Sequence, residues 1–157
     1  MIVAPARVDD LEAIVALELD GFTHARWSRE AWAAELCGSD RCVLVSRDAD
    51  QRVVAVATFQ FVDDFADLLR VVVASDRRRQ GIARRLLAAG MQWAQACGAA
   101  RMLLEVDETN MPARAAYLDL GFEPIDRRAD YYGPGLAAIV MERDLSSMSS
   151  AAREGVA

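Results

Sequence analysis

The run Val71-Val72-Val73-Ala74-Ser75-Asp76-Arg77-Arg78-Arg79-Gln80-Gly81-Ile82-Ala83-Arg84-Arg85-Leu86-Leu87 constrains the fold more than any other stretch, because an apolar strand pattern passes through a basic, glycine-bearing turn into an amphipathic helix. The N–H groups that open such a helix have no intrahelical partner and carry the positive end of its dipole, so an anionic group docks there without special side chains. Gly81 removes the side chain where backbone must approach the anion, and the small Ala83 leaves room beside it. Arg78, Arg79, Arg84 and Arg85 surround the turn. One glycine in a basic turn also suits a plain strand-to-helix connection with a solvated charge run. The order Arg78-x-x-Gly81-x-Ala83 is the more specific signal.

At 157 residues the chain has the length of one domain and buries a substantial core without metals or disulfides. A formal net charge of −6 argues against nonspecific nucleic-acid or membrane-surface binding, which favours a basic surface. Asp63, Asp64, Asp67, Glu105, Asp107 and Glu108 either form ordinary solvated surface or give one region the sign that suits a cationic amine or basic peptide. Cys37, Cys42 and Cys97 are odd in number and lack a paired motif, so neither a disulfide framework nor a zinc ribbon is indicated, and a reducing cytoplasmic setting is expected. His24 is the single histidine, and no structural or catalytic metal is expected. The start carries no signal-type run and no stretch approaches membrane-spanning length, which predicts a soluble protein.

Ile2 to Val8 reads as a first strand, followed at Asp9-Asp10 by capping chemistry and a helix patterned by Leu11, Ile14, Val15, Leu17 and Leu19. After a break over Gly21 to Trp27, Ser28 and Glu30 open a second helix through Leu36. Leu44-Val45-Ser46 and Val53 to Phe61 read as strands about the polar turn Asp48-Ala49-Asp50-Gln51. Asp67 to Ala74 is the strand feeding the basic turn, and Leu86, Leu87, Gly90, Met91 and Ala94 give the next helix a small, apolar face. Arg101 to Val106 is a strand, Asn110-Met111-Pro112 starts a helix that stops at Gly121, and Phe122 to Arg128 and Ala137 to Arg143 are the last strands. These elements predict an α/β fold, one domain over residues 1–145 and a disordered tail over 146–157.

Glu105 interrupts an apolar strand, where period-two alternation puts it with Leu103 on one face and Leu104 with Val106 on the other. It is either an exposed polar position near a sheet end or a general base in a partly buried site. Tyr117 shares a helix face with Ala113, as a core or rim tyrosine or as a phenol that gives a proton to a leaving group. Asn110 either caps its helix or presents an amide to a ligand.

The Arg78-x-x-Gly81-x-Ala83 order resembles the Gln/Arg-x-x-Gly-x-Gly/Ala signature of the GCN5-related N-acetyltransferase (GNAT) superfamily, which transfers acetyl from acetyl-CoA to amines. Leu104-Glu105-Val106, Asn110, Ala116-Tyr117, Leu120-Gly121-Phe122, Tyr131-Tyr132 and Ile139-Val140-Met141 resemble the RimI-like group, the ribosomal-protein S18 alanine N-acetyltransferases. The similarity runs over Val53 to Leu145 and more weakly around Trp27-Ser28. It implies a mixed, twisted central sheet flanked by helices, with a V-shaped opening between central strands. It implies Glu105 as proton acceptor and Tyr117 as proton donor. It also implies acetyl-CoA contacts from Val71, Val72 and Val73, from the turn Arg78, Arg79, Gln80, Gly81, Ile82, Ala83 and Arg84, and from Asn110. Trp27, Arg70, Tyr131 and Tyr132 are candidates for the acceptor side; the two tyrosines either close over a substrate N-terminus or pack the sheet end. The chain departs from the family pattern at Val73-Ala74-Ser75-Asp76 and Arg26-Trp27-Ser28, where relatives often carry proline and Pro-Trp, and at Arg70, where many have a small polar residue.

The implied reaction is direct attack in a ternary complex. An α-amine has a reference pKa of roughly 8 and a lysine amine about 10.4, so deprotonation at neutral pH costs about 1 kcal/mol for the first and about 4 to 5 kcal/mol for the second. A protein N-terminus, with ribosomal protein S18 as the implied partner, is therefore the less demanding acceptor for a carboxylate base. A small free amine or a lysine is the rival acceptor, and a nonenzymatic acyl-CoA sensor or assembly module is the rival of another class. The sequence leaves the oligomeric state open.

Overall fold

The structure, a computed structural model, describes residues 1–146 and 148. Its strands are β1 (Ile2–Pro5), β2 (Arg41–Arg47), β3 (Val53–Val62), β4 (Phe65–Val73), β5 (Arg101–Asp107), β6 (Glu123–Arg128) and β7 (Ala138–Asp144). Its helices are α1 (Leu11–Gly21), α2 (Arg29–Cys37), α3 (Ile82–Ala96) and α4 (Met111–Asp119). The strands hydrogen-bond in the order β1-β2-β3-β4-β5-β7-β6. The sheet is mixed: β4 and β5 pair parallel through Phe65–Arg101, Ala66–Met102 and Asp67–Leu103, whereas β1 with β2, β2 with β3, β5 with β7 and β6 with β7 are antiparallel. The expected α/β class and mixed sheet are observed. Backbone contacts divide the chain into two compact units, Met1–Gln60 with Leu69–Trp93, and Phe61–Leu68 with the residues from Ala94 onward.

In the first unit, Leu11, Ile14 and Leu17 of α1 and Trp32 of α2 pack with Val43, Val45, Val56 and Val72. Ser28 caps α2, its Oγ accepting the Ala31 N–H at 3.0 Å. Residues Val54–Phe59 of β3 are buried throughout, as expected of a strand covered on both faces. Val56 faces the α1–α2 core, and by alternation Phe59 faces the other way, toward α3. There Gly90 explains its own presence: a Cβ on it would lie 2.1 Å from Cζ of Phe59 and 2.4 Å from Cε1. Gly90→Val is expected to lower unfolding free energy by about 1–3 kcal/mol, the usual cost of overpacking a filled core. Thermal unfolding measures it, and an unchanged midpoint would show that Phe59 moves aside freely.

Several expected boundaries shift. The first strand ends at Pro5 rather than Val8, because Val8–Asp10 tighten into a 3-10 turn in which Asp10 Oδ2 accepts the Arg7 N–H at 2.7 Å. The second strand starts at Arg41, before the expected Leu44. Leu19, placed on the apolar face of the first helix, is exposed, and Glu18 is buried instead. The strand at Val73 enters α3 through a second 3-10 turn, Ser75–Arg77.

The second unit is built on β5 and β7, with β6 along the outer side of β7 and fully exposed. Met102, Leu104 and Val106 are buried while Arg101 and Glu105 are exposed, the expected alternation. Pro112 sits in the first turn of α4, and the chain leaves that helix at Gly121 with φ +88°, a left-handed stop. The tail expected over 146–157 lies outside the described residues apart from Ser146 and Met148.

Candidate active site

In the first unit, β4 leads through the Ser75–Arg77 turn to α3. Arg79 at φ +63° and Gly81 at φ +76° both adopt left-handed backbone, the conformation from which anion-binding turns of peptide N–H groups are built. A Cβ built on Gly81 would meet no atom within 4 Å, so the glycine answers a backbone requirement and leaves open space at the helix start. Ile82 is buried and anchors that helix, while Arg78, Arg79, Gln80 and Arg84 are exposed around it. Arg78 Nε donates to the Val73 carbonyl at 3.4 Å, and the Ser75 N–H and hydroxyl donate to Asp20 at 2.8 and 3.0 Å, tying the turn to the end of α1. Gly81→Val forces a β-branched side chain into left-handed backbone at a cost of about 1–2 kcal/mol. If this turn holds a phosphate-bearing cosubstrate, KM for that cosubstrate is expected to rise about 5- to 30-fold. An unchanged KM would remove the turn from the binding site.

The same unit gathers two of the acceptor-side candidates into one network. Arg70 donates to both carboxylate oxygens of Glu18, at 3.1 Å from Nε and 2.5 Å from Nη2, and to the Ala25 carbonyl at 3.1 Å. Its guanidinium lies 3.6 Å from the centre of the Phe22 ring and 5.3 Å from that of Trp27. Glu18 is 1% exposed and also accepts Trp32 Nε1–H at 3.1 Å. Trp27 packs against Trp32 with ring centres 5.0 Å apart and the rings tilted by 50°. Arg70 and Trp27 therefore shape the segment between α1 and α2. Glu18 escaped notice in the sequence although it stands four residues after Ile14 and seven after Leu11, on the buried face of α1.

The second unit assembles the acid–base candidates. Glu105 stands on the exposed face of β5, where Tyr131 donates its hydroxyl to Oε2 at 2.8 Å and Arg128 Nη1 lies 3.1 Å from Oε1. Tyr131 and Tyr132 pack edge to face with centres 4.9 Å apart. Their loop is held in shape by Asp130, which accepts the Gly135 N–H at 2.6 Å on Oδ1 and the Gly133 N–H at 3.2 Å on its backbone carbonyl. Burial pushes the Asp67 carboxyl above the usual carboxylate range; the charge of Glu105 adds to that and Arg128 opposes it. The hydrogen bond to Glu105, then burial, raises the Tyr131 phenol. Burial pushes Tyr132 up to about 12, with smaller contributions from Tyr131, Glu105, Asp107 and Tyr117. Tyr117, half-buried on α4 and edge-on to Phe122 at 6.1 Å, is pushed by burial up to about 12, so its phenol keeps its proton throughout the neutral range. Asn110 takes the capping role, its Oδ1 accepting the Ala113 N–H at 3.3 Å. Among the described residues no group of three or more His, Cys, Asp and Glu is placed to hold a metal, and no helix is long and apolar enough to cross a membrane.

A mixed sheet in which strand, left-handed basic turn and long helix follow one another fits the class of group-transfer enzymes that take a phosphate-bearing cosubstrate at such a turn. The chain belongs to the acetyltransferase (GNAT) family, whose model matches residues 11–122, and it is an acetyl-CoA-dependent N-acetyltransferase. It is 31% identical over 118 residues to the ribosomal protein bS18-alanine N-acetyltransferase of Salmonella typhimurium, covering 74% of this chain and 78% of that protein. It is 32% identical over 75 residues to the uncharacterized N-acetyltransferase YobR of Bacillus subtilis, covering 48% of this chain and 30% of that longer protein. The crystal structure of the ribosomal-protein-S18-alanine N-acetyltransferase of Escherichia coli superposes with a TM-score of 0.82 at 28% identity, covering 92% of this chain and 93% of that one.

The open space at Gly81 and the left-handed pair Arg79 and Gly81 fit a pyrophosphate approached by backbone. The family cosubstrate thus agrees with the residues present.

Proposed function

We propose that this acetyltransferase modifies the α-amino group of a protein N-terminus, an alanine like that of ribosomal protein S18, by direct transfer in a ternary complex. The observation that carries the proposal is the solvent-facing Glu105 fastened by Tyr131. A carboxylate in that setting takes a proton from an α-amine far more readily than from a lysine, whose reference pKa is about 2.4 higher. The relatives that act on an S18 alanine support the same acceptor.

Acetyl-CoA, when bound, supplies the thioester carbonyl that the free amine attacks. In this proposal the backbone of Val71, Val72 and Val73 and the turn Arg78 to Arg84 hold it, with the amide NH₂ of Asn110 as a further contact. Glu105 receives the amine proton, directly or through one water, and Tyr117 holds the proton that neutralises the departing sulfur. Tyr131 and Tyr132 line the acceptor side. Arg70 and Trp27, the other two acceptor-side candidates, act through the segment they shape between α1 and α2.

Kinetics on a panel of alanine-initiated peptides and free amines, with products identified by mass spectrometry, tests the acceptor. Acetylated peptide N-termini are expected. Activity confined to free amines such as spermidine would overturn the proposal.

A further inference from the structure

Arg128 lies in β6, yet its side chain reaches a carboxylate in β5, two strands away. The register explains how. Arg128 pairs with Ala138 and Ala138 with Asp107, while Asp126 pairs with Val140 and Val140 with Glu105. Residues directly opposite across a sheet share a face, so Arg128, Asp107 and Glu105 lie on one side, and Ala138 is small enough for the long side chain to pass over β7. The guanidinium ends 3.1 Å from Glu105 Oε1 and 5.7 Å from the centre of the Tyr131 ring, and its charge also reaches the Asp67 carboxyl. A cation set against a carboxylate and an aromatic face is arranged as an ammonium would be. The Arg128 side chain is 52% exposed, so its guanidinium has solvent to move into.

We infer that Arg128 is an internal counter-ion that holds the acceptor's place at Glu105 until a cationic amine displaces it, which makes Arg128 a determinant of acceptor affinity. The inference rests on Glu105 as the proton acceptor. Tyr131 occupies Oε2 and Arg128 occupies Oε1, so both carboxylate oxygens are engaged before substrate arrives. An α-amine with a reference pKa of roughly 8 arrives mostly as ammonium at neutral pH. It therefore competes with Arg128 for the same oxygen, and its arrival frees Oε1 to take the proton. Once displaced, the guanidinium moves into solvent at little cost, because an exposed ion pair is weak.

The test compares acceptor KM for the unsubstituted protein, Arg128→Gln and Arg128→Lys, on an alanine-initiated hexapeptide and on spermidine at saturating acetyl-CoA. Arg128→Gln is expected to lower KM about two- to five-fold for whichever amine is acetylated, the scale of one exposed ion pair. Arg128→Lys, which keeps the charge, is expected to retain the original KM. An unchanged or raised KM in Arg128→Gln overturns the inference, as does an equal fall in both variants. Thermal midpoints of the three proteins verify that each is folded. Failure of the N-terminal proposal shows separately, as peptide left unmodified by the unsubstituted protein, and spermidine still reads the competition in that event.

Discussion

Glu105→Gln is expected to lower kcat by about 10²- to 10⁴-fold, the range associated with a positioned general base. The substitution keeps the size of the side chain and removes its ability to take a proton. Glu105 is on the exposed face of β5, and its ion pair with Arg128 joins two partly exposed side chains of 34% and 52%. Such a pair contributes no more than about 1 kcal/mol, so the thermal midpoint is expected to stay close to that of the parent. KM for acetyl-CoA is expected to hold as well, because the residues assigned to the cosubstrate lie in the β4–α3 segment and at Asn110. Steady-state kinetics with a circular-dichroism melt separates the outcomes. A kcat within three-fold of the parent would remove Glu105 from the chemistry, and a collapsed midpoint would make it a structural residue.

Glu18→Ala is expected to have the largest effect on stability, a loss of about 3–5 kcal/mol, because it leaves a buried charge without its partner. For a chain of this size that corresponds to a fall in Tm of roughly 6–20 °C. The carboxylate is 1% exposed and accepts from Arg70 twice and from Trp32 once, and Trp32 is itself fully buried. Removing it strands the Trp32 indole N–H and leaves the guanidinium with the Ala25 carbonyl and the Phe22 and Trp27 rings. Replacing both charged partners with apolar residues, Glu18→Leu with Arg70→Met, is expected to recover much of the loss, since a buried pair exchanged for packed hydrophobic groups is often neutral. Differential scanning calorimetry measures both. A fall of less than 2 °C for Glu18→Ala would mean that water reaches the site.

The same network marks the limit of what could be read from the chain. Period-two alternation put Glu105 on the face opposite Leu104 and Val106, as observed, while its exposure was left open, and the strand, turn and helix around Gly81 follow from local chemistry that a sequence displays directly. Gly121 as a left-handed stop and Ser28 as a cap were legible for the same reason. Contacts between distant residues were not. Nothing in the sequence pairs Glu18 with Arg70, and Leu19 is exposed because α1 turns Glu18 inward to meet a guanidinium from β4. Arg128 was likewise invisible as a partner of Glu105, since that contact depends on the pairing of β6, β7 and β5. Tyr131 stood out only as a loop aromatic with two open roles, and its hydrogen bond to Glu105 was not legible. Tyr117 and Asn110 show the complementary case. Their residue types and positions left two roles open, and the structure adds the helix cap for Asn110 and a half-buried, fully protonated phenol for Tyr117.

The central claim is that the acceptor is an α-amine at a polypeptide N-terminus. It is tested most directly by giving the unsubstituted protein and acetyl-CoA one peptide that carries both a free N-terminal alanine and an internal lysine. Fragment-ion mass spectrometry then locates the added acetyl group. The account predicts acetylation on the alanine nitrogen with the lysine unmodified; acetyl found on the lysine Nζ, with the N-terminus free, would contradict it.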